Sequence, residues 1–236
     1  MDPSILHLHD ELRLRRYSPR TITHYTNWIK RLKAFHGREP EAMESEEVRA
    51  FLLDVLDRGC RPSTYLLALN AFRFFFRSLG RAHVVAGFKS PRPDYRVPEV
   101  PDEEEVRRIL NACRTLRDKA FFHLLYASGL RLGEALDLRV DELDFPKRQV
   151  FVRCGKNRRD RISILGETTV TILKEYLAYH RPPTERLFSS FQSPGARRTP
   201  RGVQQAYSNA VSRAGLTRRY TIHGLRHAFA AHLAER

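Results

Sequence analysis

The sequence predicts a mostly α fold with a small β-sheet, divided into two domains, and three observations carry that prediction. Apolar residues recur at helical spacing through most of the chain, and two short β-branched runs near residue 155 alternate instead. A proline-rich stretch at 89–101 then interrupts all periodicity.

Residues 1–88 read as four helices. The first carries Ile5, Leu8 and Leu12 on one stripe. The second opens at Ser18-Pro19, a capping side chain followed by proline at the first helical position, and runs through Ile22, Tyr25, Ile29 and Leu32 to Gly37. A third starts at Ser45, with Glu46 and Glu47 in its first turn and Val48, Phe51, Leu52 and Val55 behind them, and stops at Gly59. The fourth follows Pro62, carries Tyr65, Leu66, Leu69, Phe72, Phe76 and Leu79, and stops at Gly80. Arg73 and Arg77 sit one turn apart on it, off the apolar stripe, and read equally as a solvated face or as DNA contacts.

Residues 89–101 hold four prolines in thirteen positions, an extended semi-rigid linker. The second domain, 102–236, opens on Asp102-Glu-Glu-Glu105, a capping box ahead of Val106, Ile109 and Leu110. A helix over about 118–128 packs Phe121, Phe122, Leu124 and Leu125 and stops at Gly129. Residues 149–154 and 160–164 read as a hairpin whose connection, Gly155-Lys156-Asn-Arg158-Arg159, is loaded with cations. Further helices are expected at 167–180, at 201–214 closed by Gly215, and at 222–235 capped by Thr221.

The chain has 42 Lys and Arg against 27 Asp and Glu, a formal +15, which favours a polyanionic partner; arginine usage set by genome composition is the bland alternative. Residues 1–101 hold 17 basic and 12 acidic side chains and 102–236 hold 25 and 15, so both halves are basic. No apolar run approaches the ~20 residues of a membrane span and the start is not a secretion signal, so the expectation is a soluble, intracellular protein. Cys60, Cys113 and Cys154 form no CxxC pair and read as buried, reduced thiols.

On the last helix, His223 and Arg226 share one face, and Leu225, Phe229 and Leu233 form the opposing stripe that would bury it. A guanidinium suits phosphate because its planar fork contacts two oxygens and its charge persists at any working pH. A helix-capping His beside a surface Arg is the competing reading. His223 and His227 have the i, i+4 spacing of a zinc pair, but Arg226 stands between them and the motif lacks its Glu, so no metal is expected. His227 and His232 read as structural. Arg131 follows the Gly129-Leu130 stop, with Glu134 three residues on; a plain helical ion pair would explain both.

Taken together, Gly129-Leu-Arg131-Leu-Gly-Glu134, then Gly155-Lys156, then His223-Gly-Leu-Arg226-His227-Ala-Phe229-Ala resemble the tyrosine recombinase and phage integrase family. Tyr17-Ser-Pro-Arg-Thr-Ile-Thr-His-Tyr25 and Tyr65-Leu-Leu-Ala-Leu-Asn-Ala-Phe-Arg-Phe-Phe75 are similar to its N-terminal half, and Tyr25-Thr-Asn-Trp28 to the integron-integrase branch. The resemblance implies a four-helix, SAM-like core-binding domain at 1–88 and an α+β catalytic domain at 102–236 that lacks its C-terminal end. It implies that Arg131 and Arg226 clamp the scissile phosphate, Lys156 protonates the leaving 5′ oxygen, His223 assists proton transfer at the nucleophile and Glu134 supports Arg131. Arg73, Arg77, Arg158, Arg159, Arg197, Arg198 and Arg201 are the candidate DNA contacts. Neither metal nor nucleotide cofactor is implied, because bond energy is held in a 3′-phosphotyrosine. Double-stranded DNA is the implied partner, a tetramer on paired sites the implied assembly of the complete protein, and the prokaryotic cytoplasm, in association with the nucleoid, its place.

One departure qualifies the resemblance. All nine tyrosines precede His223, whereas the family's nucleophile follows it. The expectation is therefore a chain that binds DNA but does not cleave it alone, monomeric without DNA, with the apolar groove for the family's tail segment exposed. A non-catalytic regulator of recombination sites is the alternative.

Overall fold

The computed structural model describes residues 2–92, 99–153, 160–180, 185–190 and 195–235. Its chain forms two compact units, Met1–Arg96 and Val97–Arg236.

In the first unit, α1 (Pro3–Leu14), α2 (Pro19–His36), α3 (Ser45–Asp57) and α4 (Pro62–Ser78) follow the periodicity of the sequence. Ser18 Oγ accepts from the Thr21 amide at 3.1 Å, the capping bond that sets the start of α2. α3 begins at Ser45 as read from the sequence, with Glu44 at its N-cap, whose own amide donates to Glu47 at 2.8 Å. The apolar stripes close on one core in which Leu8, Leu12, Ile29, Leu32, Val48, Leu69, Phe72, Phe75 and Phe76 are buried. Each such side chain contributes about 1.5–3 kcal/mol of burial. Two elements went unread in the sequence, a 3₁₀ turn at Pro40–Ala42 and the one-turn α5 (His83–Ala86), both too short to show a period. α5 adds Val84 and Val85 to the core.

The second unit orders α6 (Glu103–Asn111), α7 (Leu116–Ser128), α8 (Leu132–Asp137), β1 (Leu143–Asp144), β2 (Gln149–Val152), β3 (Arg161–Ile164), α9 (Glu167–Tyr179), α10 (Pro200–Arg213) and α11 (Ile222–Ala234). The strands form one antiparallel sheet in the order β1-β2-β3, with Val150 opposite Ser163 and Val152 opposite Arg161. α7 is the central helix. Its Phe121 meets Phe188 at 5.0 Å between ring centroids, and Phe122 meets Tyr207 of α10 at 5.3 Å, both edge-on as ring quadrupoles prefer.

Several expectations need correction here. α7 begins two residues before the predicted start because Thr115 caps it, accepting from the Asp118 amide at 3.0 Å. α8 and β1 were not predicted; six and two residues are too few for a legible pattern. Thr221 stands at the N-cap of α11, but its side chain makes no capping bond. Leu233 is 53 % exposed, and the buried stripe of α11 is Ile222, Leu225, Ala228 and His232. Cys60 and Cys113 are free but only half-buried, and Cys154 lies outside the described residues.

Candidate functional site

Three elements of the second unit bring the sequence-predicted residues together. α7 ends at Gly129, whose φ of +57° is the left-handed conformation that turns the chain sharply. Arg131 follows at the N-cap of α8, and α11 lies against the turn. The approach is close: a Cβ on Gly129 would stand 2.5 Å from Cδ1 of Phe229. From the same helix Arg226 Nη1 donates to the Gly129 carbonyl, so the second arginine is tied to the turn that projects the first.

Glu134 organises the other side. Its Oε2 accepts from the Arg131 amide at 2.8 Å and its Oε1 from Arg131 Nη1 at 2.9 Å. Its remaining capacity goes to Arg161 on β3, whose Nη1 and Nη2 reach Oε1 and Oε2 at 3.0 and 2.6 Å, a two-pronged pair. The carboxylate is 9 % exposed. Burial alone would raise its pKa, but the Arg161 fork and the two Arg131 donors outweigh that and hold it at about 2. The plain Arg131–Glu134 helical pair foreseen from spacing is therefore one part of a three-residue arrangement.

His223 lies in the first turn of α11, exposed, with its ring 4.5 Å from that of His227 and nearly perpendicular to it. Burial, then His227, Arg226 and Arg131, lower its pKa below the usual 6.5, so the imidazole is neutral at pH 7. Burial, then Arg131, likewise lower the Arg226 pKa, the signature of cations crowded together. Such a surplus of positive charge beside a helix N-terminus is suited to an anion with several oxygens.

Arg161 escaped sequence reasoning. The sequence shows that β3 alternates but not which face is inward: Arg161 and Ser163 are the half-buried residues, while Ile162 and Ile164 are 53 % and 52 % exposed. Ser163 Oγ donates to the Ser128 carbonyl at 2.7 Å, so the polar face of this strand packs on the Arg131 turn. Apolar alternation cannot say which face is inward when a buried carboxylate competes for it.

The remaining candidates fall into three groups. Lys156, Arg158 and Arg159 lie outside the described residues. Arg77 and Arg201 are exposed. Arg73 and Arg197 are engaged within their own units: Arg73 donates to the Phe88 carbonyl at 2.6 Å, and Arg197 pairs with Asp137 at 2.6 Å. Arg198 corrects the expectation outright, being 7 % exposed, paired with Asp118 at 2.6 Å and stacked over Phe121. It is a core cation with no surface to offer a phosphate. His232 is buried with Nδ1 2.9 Å from the Tyr126 hydroxyl. Among the described residues no group of three His, Cys, Asp or Glu could hold a metal, and no helix is long and apolar enough to cross a membrane.

A groove of about 560 Å³ lies beside the site, with Val106 and Leu110 of α6, His123 of α7, Ile164 of β3 and Phe229 and Leu233 of α11 in its walls. Burial holds His123 there at a pKa of about 4, and thus neutral.

Comparison with known proteins gives this arrangement its context. Residues 99–236 match the phage integrase family, and residues 5–84 match the phage integrase N-terminal SAM-like domain. An integrase/recombinase of Escherichia coli is 32 % identical, over 96 % of this chain and 80 % of its own length. Tyrosine recombinase XerC of Alcanivorax borkumensis is 30 % identical, over 94 % and 76 %. Among solved structures, a lambda integrase dimer bound to a COC′ core site matches with a TM-score of 0.77 and 17 % identity, over 97 % of this chain and 87 % of that one. XerA recombinase gives 0.55 and 23 %, over 98 % and 83 %. The arginine-bearing turn and the histidine–arginine helix thus sit inside the matched 99–236 stretch, and the chain belongs to the phage integrase family of tyrosine recombinases.

Proposed function

We propose that this chain binds duplex DNA and grips one phosphodiester between Arg131 and Arg226, as the DNA-contacting part of a recombinase that breaks and rejoins strands through a 3′-phosphotyrosine. The observation that carries the reading is the charge balance at the Gly129 turn. Among the described residues Arg131 and Arg161 both pair with one carboxylate, Glu134, and Arg226 is tied to the Gly129 carbonyl beside them, so positive charge is in excess at the turn. A backbone phosphate brings the missing anion and can accept from both guanidiniums at once.

In the cleavage step the nucleophile's oxygen bonds to phosphorus, the 5′ oxygen leaves, and charge grows on the non-bridging oxygens. Arg131 and Arg226 would stabilise that charge, each by about 10²–10³ in rate. His223, neutral at pH 7, can accept the nucleophile's proton. Lys156 would protonate the leaving oxygen, on the strength of its place in the motif. Glu134 orients Arg131 without touching the phosphate.

None of the nine tyrosines of residues 1–236 is assigned as nucleophile. Tyr176 donates to the Leu187 carbonyl at 3.1 Å, Tyr220 to Glu105 at 2.7 Å, Tyr207 is 1 % exposed, and Tyr126 meets His232. On this reading residues 1–236 bind DNA and do not cleave it alone. Assembly as a tetramer on paired sites is part of the same proposal, and the 560 Å³ groove is where a neighbour's segment would dock.

The test is twofold. With ~6–10 phosphate contacts, affinity for duplex DNA should fall about 10³–10⁵-fold between ~50 and ~200 mM salt. On a nicked suicide substrate, residues 1–236 should give no denaturant-resistant adduct. A flat salt titration removes the electrostatic argument, and an adduct would mean that one of these tyrosines is the nucleophile.

A further inference from the structure

The function proposed above uses only the charge of Arg161, yet this residue spends both terminal nitrogens of its guanidinium on Glu134. We infer that Arg161 is a positioning residue for the phosphate grip: by fixing the Glu134 carboxylate it fixes Arg131, and it joins β3 to the turn that carries Arg131. The inference rests on the reading of Arg131 as a phosphate contact.

The argument begins with what Glu134 would do alone. A carboxylate only 9 % exposed is driven by burial toward its neutral form, and a neutral carboxyl turns one of its oxygens into a donor and gives up the charge that draws Arg131. The Arg161 side-chain hydrogen bonds are the foremost of the contributions that oppose burial, ahead of the Arg131 amide and side chain. Arg161 is the better buried of the two arginines, with its side chain 34 % exposed against 42 % for Arg131. It is also anchored on a paired strand, opposite Val152, whereas Arg131 sits at the cap of a six-residue helix. The stiffer arginine therefore holds the carboxylate, and the carboxylate holds the looser arginine.

Geometry separates this role from a direct contact. A guanidinium whose two terminal nitrogens face one carboxylate presents that fork away from any phosphate, while Arg131 gives Glu134 a single terminal nitrogen and, among the described residues, has no second partner for its side chain. The Ser163–Ser128 bond two residues along β3 supplies a second tie to the same turn, at 2.7 Å. Arg161 thus acts through orientation, and a lysine cannot replace it, because an ammonium is a point charge that cannot span two carboxylate oxygens in a fixed plane.

The test uses Arg161→Lys, which keeps the charge and gives up the fork, read in two ways on the full chain. Without DNA, exchange of the Arg131 amide, which is bonded to Glu134, should quicken about three- to tenfold, while amides of core residues such as Phe121 and Leu136 keep their protection. With a fluorescent mixed-sequence duplex, Arg131→Ala should weaken binding about tenfold and Arg161→Lys about threefold, and the double variant should match Arg131→Ala alone. Unchanged Arg131 exchange in Arg161→Lys overturns the inference, as does a double variant weaker than Arg131→Ala by the full Arg161→Lys step. Uniformly faster exchange would make Arg161 a residue of general stability instead, and would overturn it equally. Wild-type affinity in Arg131→Ala would count against the phosphate-grip reading, and the exchange experiment would still decide whether Arg161 holds the turn.

Discussion

Gly37 and Gly129 end helices in the two units with nearly the same backbone, at φ of +66° and +57°, and do different work. Around Gly37 nothing stands within 4 Å of where a Cβ would be, so that glycine serves only the left-handed cap of α2. At Gly129 the same Cβ would strike the Phe229 ring, and the space it leaves empty is what lets α11 deliver Arg226 to the turn of Arg131. One sequence signal, a glycine after an amphipathic run, thus stands for a stop in one unit and for a stop and a close helix approach in the other.

The charges of the two units differ in the same sense. In the first, several cations are matched to single carboxylates at the surface: Arg38 with Glu47 at 2.8 Å, Arg15 with Glu11 at 2.9 Å, Arg58 with Asp54 at 2.9 Å. Exposed pairs of that kind are worth about 0–1 kcal/mol each. In the second, Arg131 and Arg161 share Glu134 with Arg226 close by, an arrangement that leaves charge for an anion from outside.

The glycine contrast can be broken first, because its effect is the largest. Gly129→Ala meets a left-handed penalty of about 1–2 kcal/mol and a steric one of about 1–3, for a loss of about 2–5 kcal/mol in denaturant unfolding. Gly37→Ala meets only the first, about 1–2 kcal/mol. Equal losses would show that the Phe229 contact relaxes freely.

Arg198 sharpens the contrast between matched and unmatched charge. Arg198→Ala strips Asp118 of its partner in the core and should cost about 2–3 kcal/mol while leaving the salt slope of DNA binding unchanged. Arg77→Ala on the first unit should do the reverse, changing stability by less than about 0.5 kcal/mol and the slope by about one unit. A shallower slope in Arg198→Ala would mean that the pair opens on DNA.

Smaller still are the titration effects. His223 should titrate below 6.5 in the free chain, by imidazole NMR, and move up when duplex DNA is added, because a phosphate favours the charged ring where Arg226 and Arg131 oppose it. Affinity should then rise as pH falls through that range. Glu134 gives the opposite sign in stability. Its carboxylate is held at about 2, below its ordinary 4.5, so its contribution is complete above about 4.5 and is lost as pH falls toward about 2.

How much of this was legible in the sequence varies with element length. The long helices announced themselves through caps and periods, as at Ser18, Asp102 and Gly129, because each rests on local chemistry. α5, α8 and β1 did not, having four, six and two residues, too few for a pattern to repeat. Arg131, Glu134, His223 and Arg226 were legible through their spacing, whereas the role of Arg161 was not, since it depends on which face of β3 turns inward. Arg198 misled for a related reason: an arginine in a basic run looks exposed until the fold places Asp118 beside it.

The central claim, that Arg131 and Arg226 grip one phosphate, is tested most directly by the salt dependence of duplex binding in Arg131→Ala and Arg226→Ala. Each variant should stay folded, bind more weakly, and show a log–log slope shallower by about one unit than the unsubstituted chain. Slopes identical to that of the unsubstituted chain, or loss of folding at ordinary temperature in both variants, would contradict the claim and make these arginines part of the scaffold.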